Sequence, residues 1–146
     1  MTSTPQIRPI ALAVVRRGDD ILVFEGRDDS KDETFYRPLG GGIEFGETAV
    51  EALRRELREE LAAELCNVVL LGVLENIFTV YGRPGHEIVF VCTADLTDRT
   101  RYERDDLGRI LDGDSPVTWQ PLSRFTDGDE PLYPHGLLAM VTAPTL

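Results

Sequence analysis

The sequence predicts an α/β layered domain, and two observations carry that prediction. Apolar, β-branched runs at Ile10–Arg16, Ile21–Glu25, Val68–Val80, Glu87–Thr93 and Val117–Gln120 are bounded by turn residues and read as strands. Between the second and third of these lies a capped stretch whose apolar residues recur at helical spacing. With 146 residues, the chain is long enough to build one ordinary core, and a single domain over 1–146 is expected.

Taken in order, Arg17-Gly18-Asp19-Asp20 separates the first two runs as the turn of a hairpin, and Arg27–Glu33 reads as a charged loop. Phe35-Tyr36-Arg37-Pro38 is a short extended piece leading into a loop of three consecutive glycines, Gly40, Gly41 and Gly42. Thr48 followed three residues later by Glu51 is a capping box that starts a helix near Ala49. Val50, Leu53, Leu57 and Leu61 then form one core-facing stripe. Beyond it, Val68–Val80 and Glu87–Thr93 form a hairpin turned by Tyr81-Gly82-Arg83-Pro84-Gly85. Asp95–Ser115 is a long polar loop, and a last helix runs from Pro134, at its first turn, through Val141.

Composition narrows the function. Fifteen basic residues against twenty-six acidic give a net charge of −11, which repels a phosphate backbone and excludes a nucleic-acid coat protein. No apolar run approaches the roughly 18–20 residues of a membrane helix, and Met1 to Ile10 carries no secretory pattern, so a cytoplasmic protein is expected. Cys66 and Cys92 lack zinc spacing and read as buried free thiols. If the substrate is an anion, a divalent metal is the natural mediator for so acidic a protein.

The capped helix contains Arg55-Glu56-Leu57-Arg58-Glu59-Glu60, and Glu56, Glu59 and Glu60 fall within an arc of about 100°. Glu51, Arg55 and Glu59 can form an ordinary surface row of i,i+4 pairs. Glu56 and Glu60 have no basic neighbour three or four positions away, and their mutual repulsion would reverse in sign around a cation. From these residues alone, a metal site and a solvated acidic face both stand. The glycine run, one short turn ahead of the helix, lets backbone approach a phosphate or metal closely, although no Lys-Ser/Thr follows as a nucleotide P-loop requires.

Gly41, five residues, Glu47, seven residues, then Arg55-Glu56-Leu57-Arg58-Glu59-Glu60 resembles the Nudix box, here spanning 41–62. The resemblance implies an α/β/α sandwich with a mixed β-sheet and a Nudix-box loop-helix-loop. It further implies hydrolysis of the pyrophosphate bond in a nucleoside diphosphate linked to another moiety: a nucleotide sugar, an ADP-ribose-like compound or a nucleoside triphosphate. Dinucleoside polyphosphates, non-nucleotide pyrophosphates and a non-catalytic nucleotide-binding regulator are the alternatives. Carried over, Glu56 and Glu60 bind Mg²⁺ or Mn²⁺, with Glu59 as a further ligand or as the base and Gly40 adding its carbonyl. Arg55 orients the carboxylates, and Glu47 braces Arg55.

Outside the box, Glu103 in the polar loop is the alternative base, with Glu87 behind it; either also reads as an ordinary surface carboxylate. Arg37 and Gly41 are placed against a phosphate, and Phe78 or Tyr81 against a base or in the core. His86 and His135 read as solvated or structural. The expected partner is a small-molecule nucleotide or other diphosphate, and a homodimer is an arrangement that relatives adopt. There are departures from the family pattern: Leu61 stands where the family usually has Gly and Ala62 where it has a larger aliphatic residue, which predicts a helix running about one turn further to near Asn67, and Pro38-Leu39-Gly40 inverts the usual Leu-Pro-Gly order.

Overall fold

The computed structural model describes residues 4–111, 113–128 and 130–143. Among these described residues, nine strands form two sheets. β1 (Ile7–Val14), β5 (Leu39–Gly42), β6 (Leu65–Val80) and β7 (Arg83–Leu96) make a mixed sheet in the order β5-β1-β7-β6, with β1 and β7 parallel. β2 (Arg16–Arg17), β3 (Asp20–Asp28), β8 (Asp106–Arg109) and β9 (Pro116–Pro121) form an antiparallel sheet in the order β2-β3-β9-β8, and β4 (Glu33–Arg37) pairs with β3. The helices are α1 (Ala49–Leu61), α2 (Ser123–Asp127) and α3 (Leu137–Thr142).

The apolar run Ile10–Val15 is buried on both faces, which explains why it is continuous rather than alternating. Ala11, Ala13 and Val15 pack into the core beneath α1 with Leu53, Leu57 and Leu61. Ile10, Leu12 and Val14 face the opposite core with Phe125 of α2 and Leu137 of α3. Helices on both sides of the strands give the expected α/β/α layering. The Thr48–Glu51 capping box forms, with both reciprocal hydrogen bonds present.

Several boundaries differ from the sequence reading. The first hairpin is only β2 with β3, because the chain leaves the mixed sheet at Val15, whose carbonyl accepts from Leu22 N–H at 3.0 Å. The glycine run is a strand, β5, paired with β1 from Ile10↔Gly42 to Ala13↔Leu39. The hairpin of β6 and β7 turns on two residues, Tyr81 and Gly82, both at positive φ, so pairing continues through Val80↔Arg83. The described residues of Asp95–Ser115 include the end of β7, a 3₁₀ helix at Arg99–Glu103, and β8. Tyr102 stacks on Trp119 at 5.3 Å between ring centroids, and its hydroxyl oxygen accepts from Leu96 N–H at 2.8 Å, two anchors that local polarity did not disclose. The last helix starts at Leu137 rather than Pro134, with Gly136 in a left-handed conformation ahead of it. Cys66 is half-buried, whereas Cys92 is buried, and both are free.

Helix α1 does not run on to Asn67. It stops at Leu61, and Ala62 adopts φ +53 with its N–H on Arg58 O at 3.0 Å, while Ala63 N–H reaches Leu57 O at 3.2 Å. The position that suits glycine is therefore Ala62, one residue later than expected. Burial of Ala63 and Leu65, and Arg101 donating to the Leu61 and Ala62 carbonyls, outweigh the roughly 1–2 kcal/mol left-handed penalty of a residue with a Cβ.

Candidate active site

Strand β5 brings the glycines under the acidic face of α1. A Cβ on Gly40 would lie 2.0 Å from the carbonyl oxygen of Ala11, so only glycine allows β5 this close to β1. A Cβ on Gly41 would lie 2.5 Å from Cδ of Glu56 and 2.7 Å from both its oxygens; the carboxylate occupies the space that a side chain would fill. Gly40 N–H donates to Oε1 of Glu60 at 3.1 Å, and Glu60 is 8% exposed. Glu56 and Glu60, one turn apart on α1, thus meet the same short glycine strand.

Arg55 organises the outer part of this face. Its Nε and Nη2 grip Glu47 at 2.8 and 2.9 Å, Nη2 also donates to Gly42 O at 3.0 Å, and Nη1 reaches Glu56 at 3.0 Å and Glu59 at 3.3 Å. The basic partner of Glu56 is thus not three or four positions away, where the sequence has none, but adjacent in sequence and reaching along the helix surface. Glu47 also accepts from Glu44 N–H at 2.9 Å, and the Arg55 guanidinium holds its carboxyl down at about 2. Hydrogen bonds, first to Glu47 and then to Glu56, raise the pKa of Arg55. All of its donor directions are committed within the protein, which makes it an orienting group rather than a free anion receptor.

Arg37, at the end of β4, lies between this acidic face and a cleft of about 150 Å³. Burial lowers its guanidinium pKa, opposed chiefly by Glu87 and then Glu60. The cleft is lined by Phe24 and Phe35 on one side and Phe78 and Tyr81 on the other, with Asn76 and Glu87 at 7% exposure each. Glu87 is therefore buried rather than a surface carboxylate, and Asn76, its cross-strand partner, has no signal in the sequence beyond a polar residue inside a strand. Arg8 borders a second, shallower groove with Gly42 and Glu56 and was missed because its strand context begins only with the parallel pairing to β7.

Glu103 is exposed at the end of the 3₁₀ helix, which docks on the C-terminal end of α1 through Arg101. Tyr81 is 59% exposed, and His135 packs edge-on against Tyr133.

The family model described as NUDIX domain matches residues 6–134. The chain belongs to the Nudix family. Over 72 residues it is 39% identical to a protein named NAD-capped RNA hydrolase NudC from Pseudomonas putida strain W619, covering 49% of this chain and 25% of that protein. The corresponding protein of Pseudomonas entomophila is 38% identical over the same length and shares. The chain thus spans about a quarter of the length of these curated relatives. Among solved structures, a MutT NUDIX hydrolase from Burkholderia pseudomallei superposes with a TM-score of 0.67 at 23% identity, covering 95% of this chain and 99% of that one. A NUDIX hydrolase from Clostridium perfringens gives 0.62 at 16% identity, with 94% and 95% covered. At these identities the structural likeness speaks for the Nudix fold.

Among the described residues, no group of three or more His, Cys, Asp or Glu side chains converges as a preformed metal cluster. The donor chemistry nevertheless fits a hard divalent cation: carboxylates of Glu56, Glu59 and Glu60 share one helix face, and the strand below is stripped of side chains where Glu56 lies. No helix among the described residues is long and apolar enough to cross a membrane.

Proposed function

We propose that this Nudix domain hydrolyses the pyrophosphate bond of a nucleoside diphosphate linked to another moiety. The observation that carries the reading is the junction at Arg37, where an acidic helix face over a glycine strand meets an aromatic cleft. One end suits a diphosphate and the other a flat ring.

Glu56 and Glu60 would hold Mg²⁺ or Mn²⁺, with Glu59 and the Gly40 carbonyl as further donors. Such an ion supplies charge neutralisation of the diphosphate and a water of lowered pKa. Glu59, about half exposed and held only at 3.3–3.4 Å by Arg55, is the carboxylate best placed to take a proton from an attacking water. The water oxygen bonds to phosphorus as the bridging P–O bond breaks, leaving two phosphate products. Arg55, braced by Glu47, fixes Glu56 and Glu59, while Arg37 and Arg8 offer positive charge to the phosphates on either side. Glu87 or Glu103 as the base is the less supported arrangement, since Glu103 is exposed at the end of the 3₁₀ helix and Glu87 is buried facing Arg37.

The net charge of −11 favours a small substrate over an RNA chain, and the similarity to proteins named NAD-capped RNA hydrolase makes a dinucleotide pyrophosphate a sensible member of the panel. Exposed Val69, Val73 and Ile77 along the edge strand β6 support a homodimer, which sedimentation would detect. The test is chromatographic product analysis of NADH, ADP-ribose, UDP-glucose and dGTP with Mg²⁺ or Mn²⁺. Cleavage at the pyrophosphate of at least one compound is expected; intact substrates across the panel, with either metal, contradict the proposal.

A further inference from the structure

The β6–β7 hairpin overhangs its sheet. β1 pairs with β7 only from His86 to Thr93, so residues 78–85 extend past the last third-strand partner. A two-stranded hairpin is marginal in water by itself. Among the described residues, a single hydrogen bond ties 78–85 to the rest of the chain: Tyr81 N–H donates to Oδ2 of Asp28 at 3.0 Å. The ladder closes at Val80↔Arg83, which leaves the N–H of the first turn residue without a ladder partner, and Asp28 takes it.

Asp28 is built for this contact. It ends β3 in the other sheet and is 1% exposed. Its second oxygen, Oδ1, accepts from Ser30 N–H at 3.0 Å and Ser30 Oγ at 2.6 Å, so both oxygens are assigned and the carboxylate cannot turn freely. The bond bridges the two sheets at the mouth of the cleft, and the tip it holds supplies Phe78, Thr79, Val80 and Tyr81 to the wall opposite Phe24, Phe35 and Arg37. Phe78 is folded over Gly85, where a Cβ would lie 2.3 Å from its ring, so the aromatic face moves with the tip.

We infer that Asp28 is a positioning residue for substrate: it latches the hairpin wall so that the cleft is already shaped for the group carried on the diphosphate. The inference rests on the cleft being the substrate site, as proposed above. Without the latch, ordering the wall becomes part of the cost of binding, while the carboxylates on α1 are untouched. Loss therefore falls on affinity and KM and leaves kcat in place.

The experiment compares wild type, Asp28→Ala, Asp28→Asn and Ser30→Ala. It measures ADP binding with Mg²⁺ by calorimetry, KM and kcat on the panel compound that wild type cleaves, and amide hydrogen exchange. Asp28→Ala should weaken ADP binding and raise KM about tenfold with kcat within about twofold, and exchange should quicken selectively over 78–85. Asp28→Asn, which keeps an acceptor, should recover part of the loss. If Asp28→Ala does not fold, Ser30→Ala reads the same split at about threefold, because it removes one donor and keeps the carboxylate. Wild-type KM and affinity in the folded variants overturn the latch, as does a fall in kcat with KM unchanged. A wild-type protein that neither binds ADP nor cleaves any panel compound overturns the functional reading instead.

Discussion

Arg55 holds Glu47 by two parallel hydrogen bonds, Nε to Oε2 at 2.8 Å and Nη2 to Oε1 at 2.9 Å, across eight residues of sequence. That fork joins the loop after β5 to α1 and makes the pair sensitive to acid. The Glu47 carboxyl is held at about 2 against an ordinary 4.5, chiefly by the Arg55 hydrogen bonds. A depressed folded value means stability that is fully present above the unfolded value and lost as pH falls through the folded one. Thermal unfolding should therefore show a step of lost stability between about pH 4.5 and 2 that Glu47→Gln removes. Superimposable melting curves for the two proteins over that range would show that the pair does not couple folding to pH.

Gly41 is a test of the close approach. In Gly41→Ala the new methyl meets the Glu56 carboxylate at 2.5 Å and must displace it. The fold should survive, since the methyl meets a side chain rather than backbone, but hydrolysis should fall at least about tenfold, in line with losses on disturbing groups that orient metal ligands. Unchanged turnover would mean that the position of Glu56 is not used.

At the end of α1, Ala62 carries the left-handed turn without being glycine. Ala62→Gly should relieve that strain, partly offset by the greater freedom of glycine in the unfolded chain, for a net gain of about 0.5–1 kcal/mol. For a chain of this size that corresponds to a rise in Tm of roughly 2–4 °C. A lower Tm would indicate that the Ala62 methyl contributes packing that the left-handed penalty does not outweigh.

Arg37 and Arg8 should separate binding from chemistry. Arg37→Met keeps the length of a half-buried side chain and removes its charge beside the cleft, and is expected to raise KM about tenfold with a smaller change in kcat. Arg8→Gln, at an exposed position, should have the same sign and a smaller size, and its effect should fade as ionic strength rises. An unaltered KM in both would place the phosphates elsewhere.

The helix and its charged face were legible because they are local: a capping box, a leucine stripe and carboxylates at fixed spacing need no knowledge of the rest of the chain. The layered architecture was legible because strand patterns lie on both sides of one capped helix, and the continuous apolar run Ile10–Val15 is buried on both faces. What was not legible depends on distant partners. The glycines are a strand only because β1 lies beside them, and the polar stretch after Asp95 is ordered because Tyr102 finds Trp119. The same holds in the cleft: Asn76, Glu87 and Asp28 are ordinary polar residues in sequence and become buried only when the two sheets meet. The end of α1 was misjudged because burial of Ala63 and Leu65 overrode the reluctance of Ala62 to turn left-handed.

Under the proposed function, the carboxylates beside the glycine strand perform metal-dependent pyrophosphate cleavage. Glu60→Gln isolates the role of the charge, because glutamine can still accept from Gly40 N–H. The measurement is turnover of the best panel substrate by wild type and Glu60→Gln across a titration of Mg²⁺ and Mn²⁺. Saturable, metal-dependent turnover in wild type and a loss of about a hundredfold or more in the variant is the predicted result. Equal turnover in the two proteins, or turnover in wild type that ignores the metal, would contradict the claim.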